Sequence, residues 1–148
     1  SGQGGHSYEK AREEMENLLT KAGECARNRG YTEDQVQNAK FAVCAWIDEA
    51  VLTSSWEGAP EWKKLQLQRA YFNTNNAGVE FFQRLEALPT GENRVREVFA
   101  MCLALSFRGK YFHEGEQEAL EEVAGFLKAR ADRGNLTAAS SPKQRADQ

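Results

Sequence analysis

Histidine is nearly missing from this 148-residue chain, which holds only His6 and His113. A zinc site on paired histidines, a di-iron bundle on Glu-x-x-His pairs and a nucleophile primed by imidazole therefore lack their usual parts. The three cysteines, Cys25, Cys44 and Cys102, form no C-x-x-C spacing and leave an odd thiol, which argues for a reducing compartment and against a disulfide framework. Long apolar runs are absent too: the longest, residues 98–105, has eight members, against the roughly 20 that cross a bilayer as a helix. No segment sustains the period-two alternation of a strand, and the glycines at positions 2, 4 and 5 follow no strand that would make them a phosphate loop. Nor is positive charge in excess. With 19 basic and 22 acidic side chains the net charge is −3, so nucleic acid is not expected as a partner. From these absences no metal, no cofactor and no catalytic residue is assigned, and the chain reads as a non-enzyme. The competing class is a small helical thiol redox protein using Cys44 or Cys102; both sit in apolar helical stretches, where thiol pKa values are not lowered.

What is present is helix. Apolar residues at Tyr8, Ala11, Met15, Leu18, Leu19, Ala22, Cys25 and Ala26 step by three and four, predicting a helix over residues 7–29 that Gly30 ends. Thr32 and Gln35 form a capping-box pattern for a second helix reaching about residue 53, whose apolar stretch 41–47 covers more than one face and places it centrally. Further helices are read over 61–72, 77–88, 93–106 and 114–133, the last with Leu120, Val123, Ala124 and Leu127 inward. The fold class is all-α with about six main helices. Residues 1–6 read as a flexible start or cleavage scar, 7–133 as one helical domain, and 134–148 as a disordered tail or linker.

Charge is unevenly placed. Residues 31–60 carry Glu33, Asp34, Asp48, Glu49 and Glu57 against Lys40 alone. Asp48 and Glu49 interrupt the most apolar helix of the chain. Either they lie on a wet face, or one lines a groove that takes a partner's Lys or Arg, or one holds a neighbouring helix N-terminus. Adjacent on a helix, they diverge too far to cooperate as acid and base. Arg108 and Lys110 flank Gly109 in a small basic loop, where an acidic protein partner is the functional option. Gly109 is expected to adopt a positive φ.

Three blocks carry a resemblance: Phe41 to Leu52 with its Asp48-Glu49 pair and the following Trp56; Tyr71-Phe72-Asn73 with the Gly78-Val79-Glu80-Phe81-Phe82 run; and Cys102 to Tyr111, with Phe107, Gly109, Lys110 and Tyr111. In this order they resemble the cytoplasmic domain of the TssL (DotU/IcmH) family of bacterial type VI and type IVB secretion systems. The resemblance implies a hook-shaped domain of two three-helix bundles with a cleft between them, on the cytoplasmic face of the inner membrane. It implies an anchor helix C-terminal to this segment, and assembly partners: a TssM-like subunit within a TssJ–TssM membrane complex, a TssK-like baseplate subunit, and a second copy as a homodimer. The matching residues Asp48, Glu49 and Lys110, with Arg108 of the small basic loop, are the expected protein-binding positions.

Overall fold

The computed structural model describes residues 2–111, with side chains from Ser7 onward. The expected helix over 114–133, the tail 134–148 and His113 lie outside the described residues. Six α-helices follow one another: α1 (Gly2–Asn28), α2 (Glu33–Leu52), α3 (Ala59–Lys64), α4 (Leu67–Phe72), α5 (Ala77–Ala87) and α6 (Asn93–Ala104), and a 3-10 turn (Gly109–Tyr111) closes the described chain. No strand occurs among the described residues. Helix α1 starts well before the apolar pattern that begins at Tyr8.

The start of α2 is set locally. Thr32 Oγ1 accepts a hydrogen bond from the Gln35 amide at 3.2 Å, and Gln35 Oε1 accepts one from the Thr32 amide at 2.8 Å, so both orphan donors are satisfied. Helix α2 is buried on two sides. Phe41, Ala42 and Ala45 join Phe81, Phe82 and Leu85 of α5 and Val95, Phe99 and Leu103 of α6 in one apolar cluster. Cys44 and Ile47 join Trp62 of α3 and Leu67 of α4 in a second cluster, which Tyr8, Met15 and Leu19 of α1 cover. Each fully buried Phe or Leu contributes about 1.5–3 kcal/mol of apolar transfer, so the two clusters hold α2 from both sides.

One expectation is corrected. Residues 61–72 are not one helix but α3 and α4, broken at Leu65 and Gln66, where the backbone is extended. Two buried side chains of opposite charge cause the break. Arg12, 8% exposed, donates from Nη1 to the Leu65 carbonyl at 2.6 Å, satisfying an acceptor at the end of α3, and stacks over the Trp62 ring at 4.8 Å. Asp48, 1% exposed, accepts from the first amides of α4. A continuous helix would leave both charges buried without these partners.

Candidate functional site

Asp48 and Glu49 leave α2 about 100° apart, and each carboxylate organises a different element. Asp48 Oδ1 accepts from Trp62 Nε1 at 2.7 Å and from the Leu67 amide at 2.9 Å, while Oδ2 accepts from the Gln68 amide at 2.9 Å. The carboxylate lies where the α4 dipole favours negative charge. Burial is the larger influence and raises the Asp48 pKa above the usual aspartate value, against the lowering effect of its donors. Gln68 carries the connection onward: its side-chain Oε1 accepts from the Ala77 amide at 2.9 Å and so satisfies the start of α5.

Glu49, half-buried, reaches across to the loop after α6. Its Oε2 accepts from the Arg108 amide and its Oε1 from the Gly109 amide, both at 2.8 Å. The same loop is fixed from α2 by Trp46, whose Nε1 donates to the Leu105 carbonyl at 3.2 Å. Gly109 has φ +53, as expected, and a Cβ there would stand 2.7 Å from the Gly78 carbonyl oxygen. The loop therefore lies directly on the start of α5.

Between these elements is a cleft of about 360 Å³, lined by Asp48 and Glu49 of α2 and by Thr53 that caps its C-terminal end, by Gln66 and Gln68, and by Gly78 and Gly109 across from them. Its lining includes two carboxylates and no lysine or arginine. Arg108 is half-buried beside it. Lys110 is exposed, with its ammonium 5.4 Å from the Phe82 ring centre and 5.1 Å from that of Tyr111.

Of the four expected binding positions, the structure brings Asp48, Glu49 and the Arg108–Lys110 loop to one region, but they do not present one acidic surface. The Asp48 carboxylate is spent inside the protein, and Glu49 spends its two oxygens on the loop backbone. Among the readings of the acidic pair, holding a helix N-terminus describes Asp48. Sequence reasoning singled out Trp62, with Trp56, as either an interface anchor or internal packing, and the structure buries Trp62 in the second cluster; it did not single out Arg12 or Gln68, and a charged residue on the apolar stripe of α1 was the one available signal, at Arg12.

Burial raises the thiol pKa of both Cys44 and Cys102 to about 12, so at neutral pH both are protonated and unreactive. Cys25 is exposed. Among the described residues no cluster of His, Cys, Asp and Glu is arranged to hold a metal ion.

A family profile described as "Type VI secretion system protein DotU" matches residues 2–148. Among solved structures, the chain is similar to the cytoplasmic domain of TssL from Acinetobacter baumannii, with 30% identity and a TM-score of 0.78 over 84% of this chain and 82% of that one. It is also similar to SciP/TssL from enteroaggregative Escherichia coli 042, with 26% identity and a TM-score of 0.62 over 83% of this chain and 73% of that one. No curated protein matches it.

Proposed function

The chain belongs to the DotU family of type VI secretion proteins, and from that premise we propose that it is a non-enzymatic docking domain. On this reading it sits on the cytoplasmic face of the bacterial inner membrane, tied there by a C-terminal anchor outside this sequence. Its work is to hold a TssM-like subunit of the membrane complex and a TssK-like baseplate subunit in register. Among the described residues no helix is long and apolar enough to cross a membrane. The observation that carries the reading is the family match across residues 2–148.

The docking face we assign is the mouth of the cleft, with Glu49 and the Arg108–Lys110 loop at its rim and Asp48 holding its floor from within. Half-buried Glu49, at the rim of a cleft whose lining holds no lysine or arginine, suits a basic side chain of a partner, and Lys110 beside it suits an acidic one. Such a mixed rim selects one partner orientation over others. Asp48 and Glu49 are poor positions for testing docking, because replacing either disturbs internal hydrogen bonds. Thr53 is better placed: it is exposed, lines the cleft and bonds only to carbonyls of its own helix.

The experiment is capture of the purified TssK-like and TssM-like subunits from the same gene cluster by Thr53→Arg and Lys110→Glu, each compared with the parent chain. Loss of capture of at least one subunit by about tenfold or more, roughly 1.4 kcal/mol of binding, with unchanged circular dichroism, is expected. Undiminished capture of both subunits by both variants overturns the assignment of this face.

A further inference from the structure

The corner where α2, α4 and α5 meet, at the end of α4 opposite the cleft, holds two cations that have no ion-pair partner among the described residues. Arg84 of α5 is half-buried, its guanidinium carbon 4.1 Å from the Phe41 ring centre and 5.5 Å from that of Phe72. Its Nη1 donates to Asn38 Oδ1 at 2.8 Å, and no other acceptor among the described residues meets it. Lys40 of α2 is also half-buried, its ammonium 3.7 Å from the Tyr71 ring centre. Carboxylates instead pair with Arg12, Arg27 and Lys64.

The acidic groups close to this corner are engaged or turned elsewhere. Glu80, one turn before Arg84, accepts from the Thr74 hydroxyl at 2.5 Å, and Glu33 is held by Arg27 and Gln37. Asp34, exposed one turn before Asn38, forms no ion pair with either cation. A guanidinium partly withdrawn from water with a single hydrogen bond is costly, and the ring faces offset part of that cost. The rings also fix where the charges stand. Phe41 and Phe72 meet edge to face at 5.0 Å, and Tyr71 and Phe72 are consecutive on α4, so both cations rest on a packed aromatic support.

We propose that this corner docks an acidic segment of a protein partner, with one carboxylate taken by Arg84 and a second by Lys40. A guanidinium held in one orientation suits the two oxygens of a carboxylate, and its support leaves little side-chain freedom to lose on binding. An anionic membrane fits less well. Lipid-binding clusters run to about 4–8 basic residues, whereas two stand here, and Phe41 is buried beneath them rather than raised to insert. Phe41 and Asp48 are seven residues apart on α2, two turns and about 10 Å along the same face. The corner therefore extends the cleft face toward the Glu33 end of α2; that continuity rests on the preceding reading, while the carboxylate chemistry does not.

The probe is hexaglutamate, titrated calorimetrically into the purified full chain, so that no secretion subunit enters the test and its result stands apart from that reading. The parent is expected to bind, and Lys40→Gln combined with Arg84→Gln to weaken binding by about tenfold or more at about 50 mM salt, with the difference shrinking at about 500 mM. Arg84→Lys keeps the charge without the planar fork, and intermediate binding is expected. Lys110→Glu controls for the basic loop beside the cleft and is expected to weaken binding less than Lys40→Gln does. Should Arg84→Gln lose its helical circular dichroism, Lys40→Gln alone decides, with binding about threefold weaker expected. No binding by the parent, equal binding by the parent and Lys40→Gln, or a loss confined to Lys110→Glu overturns the proposal. Adsorption to phosphatidylglycerol vesicles that depends on Lys40 and Arg84, without hexaglutamate binding, overturns it in favour of a membrane.

Discussion

Replacing Asp48 tests the internal architecture most directly. Asp48→Ala removes the acceptor of four N–H groups: Trp62 Nε1, the Leu67 amide, the Gln68 amide and, at 3.5 Å, the Gln68 side-chain amide. A buried donor left unsatisfied costs about 1–3 kcal/mol. The full sum is not reached, because the variant no longer desolvates a carboxylate and the small side chain leaves room for water. A net loss of about 3–5 kcal/mol is expected, from neutral donors left buried and unpaired, out of a total stability of about 5–15 kcal/mol. Asp48→Asn keeps one oxygen and turns an amide NH₂ toward a backbone N–H, so its cost is about 1–3 kcal/mol. Urea unfolding followed by circular dichroism reads both values.

The pH dependence gives the same group a second signature. Because burial raises the folded pKa of Asp48 above its unfolded value, its contribution is complete below the usual aspartate pKa of about 4. That contribution is lost as pH rises through the folded value. Asp48→Asn cannot titrate, so the stability gap between parent and Asp48→Asn is expected to be widest in acid and to narrow as pH rises through that window. An Asp48→Ala loss below about 0.5 kcal/mol, the usual range for surface changes, would refute the assignment of Asp48 as the buried brace of α4, and a gap that widens with pH would refute burial as the larger influence on its pKa.

Three further outcomes are expected. Gly109→Ala places a Cβ at φ +53 against the Gly78 carbonyl oxygen, and a lower urea midpoint, by more than about 1 kcal/mol, is the readout. Arg12→Met keeps much of the apolar stem but frees the Leu65 carbonyl that Arg12 holds, so unfolding measurements should show a loss of about 1–3 kcal/mol. Glu33, paired with Arg27 and Gln37, has its pKa lowered to about 2; its contribution is present above the usual glutamate value and lost as pH falls through about 2, and Glu33→Gln should flatten that part of the acid unfolding curve.

The all-helical class, the capping box at Thr32 and the positive φ of Gly109 were legible in the sequence because each rests on residues close together in the chain. The acidic pair was legible as a feature but not in its use. Whether a carboxylate within an apolar helix faces water or a helix N-terminus depends on where a segment 14 to 20 positions later crosses it, as Trp62, Leu67 and Gln68 do. Periodicity extended one helix across residues 61–72 for the same reason: the break at Leu65 and Gln66 is imposed by Arg12 and Asp48 from other helices, not by a local proline or glycine. Arg12 is distant from Leu65 in sequence, and its own helix gave no sign of the carbonyl it would meet.

The two adjacent carboxylates also bind the fold's two apolar clusters to one geometry. Asp48 fixes α4 and, through Gln68, the first amide of α5. Glu49 fixes the loop that lies on that same end of α5. Every wall of the cleft is therefore referred to two consecutive residues of α2, the helix that both clusters bury. A cleft so constructed is preorganised, and a partner entering it pays little to order its walls. The cost of this arrangement appears in stability rather than in binding, because the carboxylates that shape the cleft are desolvated or engaged within the protein. Substitutions at Asp48 should consequently weaken folding and capture together, whereas Thr53→Arg should separate them. That contrast distinguishes the residues that build the docking face from those that meet the partner.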